Sequence, residues 1–79
     1  MSNIGKYNEI FIKSFEIVET ALGSDLKYQS IPAWDSVGHM SMIAAMEDAF
    51  EIMLETEDII DFSSYDKGKE ILAKYSVVF

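Results

Sequence analysis

Apolar residues near the start of the chain recur at steps of three and four positions. This spacing puts them on one face of a helix with 3.6 residues per turn, and it predicts a first helix from about Asn3 to Leu22. Gly23 is predicted to end this helix, because glycine readily adopts the left-handed conformation of a closing turn. The expected buried stripe comprises Ile4, Tyr7, Phe11, Phe15, Val18 and Leu22.

The next segment, residues 24–35, lacks helical periodicity and predicts a long loop. Pro32 is incompatible with a helix interior and favours an extended conformation at Ile31. A long loop in a compact domain needs apolar side chains that hold it against the core. The residues expected to do so are Leu26, Tyr28, Ile31 and Trp34.

A second helix is predicted from Ser36 to about Phe50. Asp35 is its expected N-cap, since a carboxylate there accepts a hydrogen bond from a free N–H two or three residues later. Ser36 would then be the first helical residue, with its hydroxyl directed towards solvent. A rotation of 100° per residue gives the helix two arcs. The arc expected in the core holds His39, Met42, Ile43, Met46 and Phe50, and the other holds Val37, Met40, Ala44, Glu47 and Glu51.

Two shorter helices are predicted in the last third of the chain. Thr56 is a candidate cap for a third helix of about six residues, with acids in its first turn. Ser63 and Ser64 are candidate caps for a fourth, and Ser63 with Asp66 has the spacing of a capping box. Gly68 is expected to weaken that helix by about 1 kcal/mol relative to alanine. The apolar faces are Ile59, Ile60 and Phe62 in the third helix, and Tyr65, Ile71, Leu72 and Tyr75 in the fourth.

The predicted elements make an all-α, four-helix bundle with a long loop between helices 1 and 2 and a short helix 3. Residues 1–79 are expected to form a single domain and a monomer. A core of this size leaves little room for a deep catalytic cleft, so no enzyme is expected. There is no cysteine, which excludes disulfides and thiolate metal sites. No apolar run suits a signal peptide or a membrane span, and a cytoplasmic location is expected.

Charge adds a prediction about partners. Six lysines and fourteen carboxylates give a net charge of −8, which argues against nucleic acid and anionic membranes. No lysine or arginine lies between Tyr28 and Asp66, where there are nine carboxylates. Such a run is often only a solvated face, but its one-sidedness favours an acidic docking surface for basic partners. The predicted docking residues are Val37, Met40, Ala44, Glu47, Asp48, Glu51 and Asp58.

Ser36 is the candidate site of chemistry. The free N–H groups and positive dipole at a helix start favour an anion such as a phosphodiester on a modified serine. Asp35, Ser36 and His39 are the residue types of a hydrolase triad, but closeness in sequence is not triad geometry. A partly buried, neutral His39 is expected instead. One histidine and no cysteine do not make a zinc site, and residues 55–61 lack the ligand alternation and glycine of a calcium loop.

The residues around Ser36 resemble a known family. Asp35-Ser36-Val37, followed at helical spacing by Met40, Ile43, Met46, Glu47 and Phe50, is similar to the Asp-Ser-Leu motif and second helix of acyl carrier proteins. The run from Ile31 to Met40 resembles stand-alone carriers that have Trp-Asp-Ser-Leu-Gly-His. The resemblance covers nearly the whole chain, since carrier domains have about this length and four helices in this order.

The resemblance implies a carrier function. Ser36 would be esterified with 4′-phosphopantetheine, delivered from coenzyme A by a phosphopantetheinyl transferase that recognises Asp35. The arm would hold acyl or aminoacyl thioesters and present them to a loading ligase and to acyl-processing enzymes, in biosynthesis of the fatty-acid or polyketide type. The metal-free protein itself would perform no bond chemistry.

Departures at the motif point to a specialised carrier. Fatty-acid carriers generally have leucine after the serine and an acid about five residues beyond it, where this chain has Val37 and Ser41. Gly38 and His39 also replace residues that are usually acidic or small and polar. The resemblance therefore implies a carrier that works beside a separate adenylating ligase. An unmodified acidic adaptor is the alternative, and a small hydrolase is the least favoured one.

Overall fold

A computed structural model describes residues 2–79. The fold within that range is all-helical, with four α-helices, a long connection between the first two, and a short third helix, as the sequence predicts. There is no strand in residues 2–79, only an isolated bridge between Lys27 and Ser64. The helices are α1 (Asn3–Phe15), α2 (Ser36–Phe50), α3 (Thr56–Asp61) and α4 (Tyr65–Ala73), with a 3₁₀ turn at Glu19–Ala21.

Helix α1 is shorter than its apolar stripe predicts. It ends at Phe15, where Glu16 adopts a left-handed conformation with φ of 53°, and the carbonyl of Ile12 accepts the N–H groups of Glu16 and Ile17. This closing turn directs Ile17 onto the core and leaves Val18 exposed. Two consecutive β-branched residues at this point also propagate a helix poorly. The prediction that α1 reaches Leu22 and ends at Gly23 is therefore wrong.

Helix α2 has the predicted boundaries and the predicted cap. The Asp35 carboxylate accepts the N–H of Gly38 at 2.8 Å, and Ser36 is the first helical residue. Of the core arc, Met42, Ile43 and Met46 are buried, while His39 and Phe50 are partly buried at its ends.

The start of α3 differs from its predicted cap, and the start of α4 selects one of its two candidate caps. Glu55, not Thr56, precedes α3, and its N–H donates to the hydroxyl of Tyr75 at 2.9 Å. Ser64, not Ser63, caps α4 by accepting the N–H of Lys67. Sequence spacing allowed either serine, and the contacts of the preceding loop select the second one.

The core contains an aromatic cluster between α1, the long loop and α4, and the buried residues of α2 belong to the same core. Phe11 lies at its centre, with ring centroids 5.5 Å from Trp34 and 5.4 Å from Tyr65. The Phe15 ring stacks on Trp34 at 5.1 Å. Pairs at these separations stabilise a core beyond the burial of their area alone. Buried Trp34 directly precedes the Asp35 cap, so its packing joins α1 to the start of α2.

Gly68 has a role that its helix propensity does not predict. A Cβ at this position would lie 2.2 Å from both Phe62 Cζ and Tyr7 Oη, which is far inside van der Waals contact. The Tyr7 hydroxyl lies there because it donates to the carbonyl of Tyr65 at 2.5 Å. Alanine at 68 would therefore force the core apart, and the expectation that glycine merely weakens α4 is wrong.

The long loop is held by hydrogen bonds as well as by burial. Leu26 and Trp34 are buried as expected, and the Leu26 carbonyl accepts the N–H of Tyr65 at 2.9 Å. The Tyr28 N–H donates to the Ser63 carbonyl at 2.8 Å, which fixes the loop beside the start of α4. Within residues 2–79, no helix combines the length and apolar character needed to cross a bilayer.

Candidate functional site

Ser36 lies on the surface at the point where the long loop becomes α2. Its side chain is exposed, and the two residues before it are held in place: Asp35 caps α2 and Trp34 is buried in the core. A hydroxyl held in this way is accessible to a large partner without any opening of the fold. The sequence prediction of its position is confirmed; its modification stays a prediction.

The hydroxyl of Ser36 is paired with a residue from the loop. Its Oγ lies 3.0 Å from the Tyr28 hydroxyl oxygen, and either group can donate this hydrogen bond. Tyr28 is 36% exposed, so this pair is open to solvent. Its ring stands edge-on to that of His39, with centroids 5.6 Å apart. Tyr28 was expected only to hold the loop by packing, and the structure adds a contact with the candidate serine.

His39 is a structural histidine whose tautomer follows from its two partners. Its Nδ1 lies 2.9 Å from Nε1 of Trp34, which can only donate, so Nδ1 is the acceptor. Its Nε2 lies 2.8 Å from the carbonyl of Ile59, which can only accept, so Nε2 carries the proton. The ring is therefore neutral and joins the loop, α2 and α3. This agrees with the expectation of a partly buried, neutral histidine.

The three residues of the hypothetical triad make no relay. Both ring nitrogens of His39 are bonded to Trp34 and Ile59, Ser36 is bonded to Tyr28, and Asp35 is bonded to the Gly38 N–H. A serine hydrolase needs its base bonded to the nucleophile and to the acid in turn. This geometry does not support the hydrolase alternative.

An apolar groove opens beside Ser36, between the start of α2 and α3. It has a volume of about 330 Å³, and its walls are mostly carbon. Ile60 stands at its rim, 74% exposed. We call it the Ser36 groove; its lining residues are Tyr28, Ser36, His39, Met40, Ile59, Ile60, Phe62 and Ser63.

Most of the predicted docking residues are on the surface. Val37 is 76% exposed and Met40 is 53% exposed. Ala44, Asp48 and Glu51 are exposed as well. These side chains are thus available to a partner, and their docking role stays a prediction.

Two of the predicted docking acids are engaged within the protein. Asp58 is only 7% exposed, and its carboxylate accepts hydrogen bonds from Lys74 and Tyr75, both at 2.5 Å. The hydrogen bond from Lys74, and to a smaller extent the one from Tyr75, lower the pKa of Asp58 below its usual value. Glu47 is partly buried and accepts the N–H of Leu54 at 2.9 Å. We therefore correct the prediction for Asp58, which faces α4 and not solvent, and assign Glu47 mainly to the turn after α2.

In the part of the chain that the structure describes, no three histidine or carboxylate side chains converge in a way that suits a metal ion. Among the acids of residues 55–61, Asp58 is already paired with Lys74. The calcium alternative therefore gains no support from the structure.

Sequence reasoning missed the residues that reach the site from other elements. Tyr28 lies eight positions before Ser36 in an irregular loop. Ile59 belongs to α3, and Phe62 directly follows that helix. No periodicity links these positions to the serine. The one available signal was the presence of Tyr28 and Trp34 in the loop, which indicated packing but not which hydroxyl would be near.

Neither a protein-family model, nor a curated protein, nor a solved structure matches the chain.

Proposed function

We propose that this chain is a carrier protein, modified on Ser36 with 4′-phosphopantetheine. The observation that carries the proposal is an exposed serine hydroxyl at the first residue of α2, preceded by the Asp35 cap and bordered by an apolar groove. The motif residues that resemble acyl carrier proteins supply the identity of the group. Neither support would be sufficient without the other.

The residues present are compatible with the arm. Ser36 Oγ is accessible for attachment, and the neighbouring Tyr28 hydroxyl can donate to a phosphate oxygen. In the transfer, Oγ forms a bond to the phosphorus that bears pantetheine, and the bond from that phosphorus to adenosine 3′,5′-bisphosphate breaks. The hydroxyl proton passes to a base of the transferase. When bound, the arm supplies a terminal thiol that carries cargo as a thioester.

The chain's own contribution is to tether and present. A flexible tether raises the effective concentration of the cargo at a partner's active site without any new contact. Val37, Met40 and Ala44 form the proposed apolar part of the docking surface, and Asp48 and Glu51 its acidic part. Methionine suits a surface shared by several partners, because its unbranched side chain adapts to each. The proposed partners are a transferase, a loading ligase and acyl-processing enzymes.

A specialised pathway follows from the same residues. Gly38 packs closely against the Ala33 carbonyl, and His39 is hydrogen-bonded to Trp34 and Ile59. Neither residue places a charge at the start of α2. Enzymes that grip an acidic helix start would find only Asp35 there, and its carboxylate is used as the cap. We therefore favour a carrier loaded by a separate ligase over the carrier of fatty-acid synthesis.

The proposal is tested by intact-protein mass after incubation with coenzyme A and a broad-specificity phosphopantetheinyl transferase. We expect the mass of one phosphopantetheinyl group, and no increment in Ser36→Ala. Ser41→Ala is the matched control, since Ser41 is another exposed serine of the same helix, and it should be modified like the wild type. No increment on the folded wild-type protein would contradict the carrier proposal.

The adaptor alternative rests on one specific observation. Met40 and Ile60 are large apolar side chains exposed at the Ser36 groove, and Val37 is exposed on the same helix as Met40. These side chains suit a partner whether or not Ser36 is modified. The two functions differ in what Ser36→Ala does. It abolishes a carrier but leaves the apolar contacts of an adaptor unchanged.

A further inference from the structure

We infer that Tyr28 is the positioning residue of the modified serine: its hydroxyl donates a hydrogen bond to the phosphodiester on Ser36 and so sets the direction in which the arm leaves the protein. This inference rests on the proposed modification of Ser36. It begins from the 3.0 Å separation of the two hydroxyl oxygens.

The hydroxyl of Tyr28 is held in place before any modification. The Tyr28 N–H donates to the Ser63 carbonyl at 2.8 Å, and the next residue, Gln29, donates to the Trp34 carbonyl at 2.9 Å. Lys27 on the other side pairs with Ser64 in the isolated bridge. The backbone that carries Tyr28 is thus bonded to the start of α4 and to the residues before α2.

The ring is fixed as well as the backbone. It packs edge-on against His39, and His39 is bonded to Trp34 on one side and to Ile59 on the other. The indole of Trp34 therefore orients the imidazole of His39 through a hydrogen bond, and the imidazole packs against the ring of Tyr28. The Tyr28 hydroxyl in turn forms the hydrogen bond with Ser36. A donor held in this way loses little side-chain freedom when it binds a new acceptor.

Modification changes the hydrogen bond in one direction only. In the free protein either hydroxyl can donate, but an esterified Oγ carries no proton. The Tyr28 hydroxyl must then be the donor, and the phosphodiester offers it charged acceptor oxygens. A hydrogen bond to a charged acceptor is stronger than one between two neutral hydroxyls. The Tyr28 contact should therefore stabilise the modified protein more than the unmodified one.

The location of Tyr28 gives this bond a consequence for the arm. Tyr28 and Ser36 both line the Ser36 groove, so a phosphate held between them lies at the mouth of the groove. The arm then starts beside the apolar walls and close to Met40 and Ile60. Without the Tyr28 bond the arm would have no fixed starting direction.

The test is a thermodynamic cycle on a synthetic protein. The 79-residue chain is assembled by peptide ligation with either a free serine or a methyl phosphodiester at position 36, so that no transferase is needed. Melting temperatures are measured for wild type, Tyr28→Phe and Tyr75→Phe in both forms. Tyr75→Phe is the matched control, because it removes a hydroxyl bonded to Asp58 and Glu55, not to Ser36.

We expect the phosphodiester to raise the melting temperature of the wild type more than that of Tyr28→Phe, by roughly 4–8 °C for one such bond in a domain of this size. Tyr75→Phe should melt lower in both forms, with the wild-type response to the phosphodiester. The ³¹P resonance should differ between wild type and Tyr28→Phe and coincide between wild type and Tyr75→Phe. 3-Fluorotyrosine at position 28, a stronger donor, should move that resonance in the opposite direction.

Equal responses of all three proteins, with one common ³¹P resonance, would overturn the role of Tyr28. This outcome is separate from failure of the carrier proposal, which shows as the absence of a mass increment with a transferase. A Tyr28 effect on the synthetic phosphodiester stands even if the natural modification is a different phosphate ester.

Discussion

At the residue level, the start of α2 depends on Gly38 and His39, two residues of the motif around Ser36. Gly38 allows the first turn to pack against the Ala33 carbonyl, since a Cβ there would lie 2.0 Å from that oxygen. His39 accepts from Trp34 and donates to Ile59. Both residues hold Ser36 in place and neither contacts its hydroxyl. The Gly-His pair is therefore explained by packing around the site.

Gly38→Ala tests this at the position where space is smallest. The added methyl group must displace the Ala33 backbone or the first turn of α2, and we expect the free energy of unfolding to fall by about 1–3 kcal/mol. Urea unfolding followed by circular dichroism measures the change. Gly5→Ala in α1 is the control, because its Cβ would meet only Ser2 Oγ at 3.3 Å, and it should lose less. Equal losses in the two variants would show that the contact with Ala33 does not limit the site.

At the scale of elements, α2 divides its two apolar arcs between the core and the surface. Met42, Ile43 and Met46 are buried, whereas Val37, Met40 and Ala44 face outwards. The acids of the same helix divide as well. Glu47 closes the turn to Leu54, while Asp48 and Glu51 remain exposed. We propose that a partner covers the exposed apolar side of α2.

The acidic docking surface predicts a charge effect on loading by the transferase. Asp48→Lys with Glu51→Lys should slow loading roughly tenfold at low ionic strength, because electrostatic complementarity mainly speeds association. Glu47 is left unchanged, since its carboxylate bonds the Leu54 N–H and its loss would disturb the fold. Loading is followed by mass spectrometry over a salt series, and the gap between the proteins should narrow as the screening length falls to about 8 Å.

Glu19→Lys is compared with Asp48→Lys alone, which changes the net charge by the same two units. Glu19 lies in the 3₁₀ turn outside α2 and α3. Glu19→Lys should have little effect on the rate of loading. Rates that respond equally to Glu19→Lys and to the α2 reversals, or to neither, would contradict a localised acidic surface.

At the scale of the whole molecule, one carboxylate joins α3 to the end of the chain. Asp58 accepts from Lys74 and from Tyr75, and the Tyr75 hydroxyl also accepts the Glu55 N–H at the start of α3. The short α3 has no side-chain cap of its own, so these contacts fix its position.

This cluster predicts a loss of stability in acid. The hydrogen bonds from Lys74 and Tyr75 lower the folded-state pKa of Asp58 below its ordinary value of 3.8. The stabilisation is therefore complete above the unfolded-state pKa and is lost as the pH falls through the lower folded-state pKa. Thermal melts between pH 7 and pH 2 should show a steeper decline in wild type than in Asp58→Asn. Asp48→Asn, which changes an exposed carboxylate, should keep the wild-type slope.

The same pair predicts a complementary loss in alkali. The hydrogen bond from Lys74 to Asp58 raises the pKa of Lys74 above 10.5. That stabilisation is present below the ordinary lysine pKa and lost as the pH rises through the raised one. Identical pH profiles for wild type and Asp58→Asn at both extremes would remove the cluster from the account of α3.

The local features of the fold could be predicted from the amino-acid sequence. The boundaries of α2, its Asp35 cap, the first helical position of Ser36 and the buried arc of Met42, Ile43 and Met46 all follow from neighbours within one or two turns. Such features are readable because hydrogen bonds to a helix start and the 3.6-residue period involve residues close in the chain. The end of α1 was not readable, since a stripe of apolar positions continued past the turn that closes the helix.

Contacts between residues that are distant in sequence became visible in the folded structure alone. Asp58 is buried because Lys74 and Tyr75, which follow α4, form hydrogen bonds with its carboxylate. Gly68 is necessary because Tyr7 and Phe62 occupy the space of a side chain. Tyr28 is brought to Ser36 through loop hydrogen bonds that no periodic pattern encodes. Contacts between distant segments depend on the packing of the whole chain, and the chemistry of the candidate site is made of such contacts.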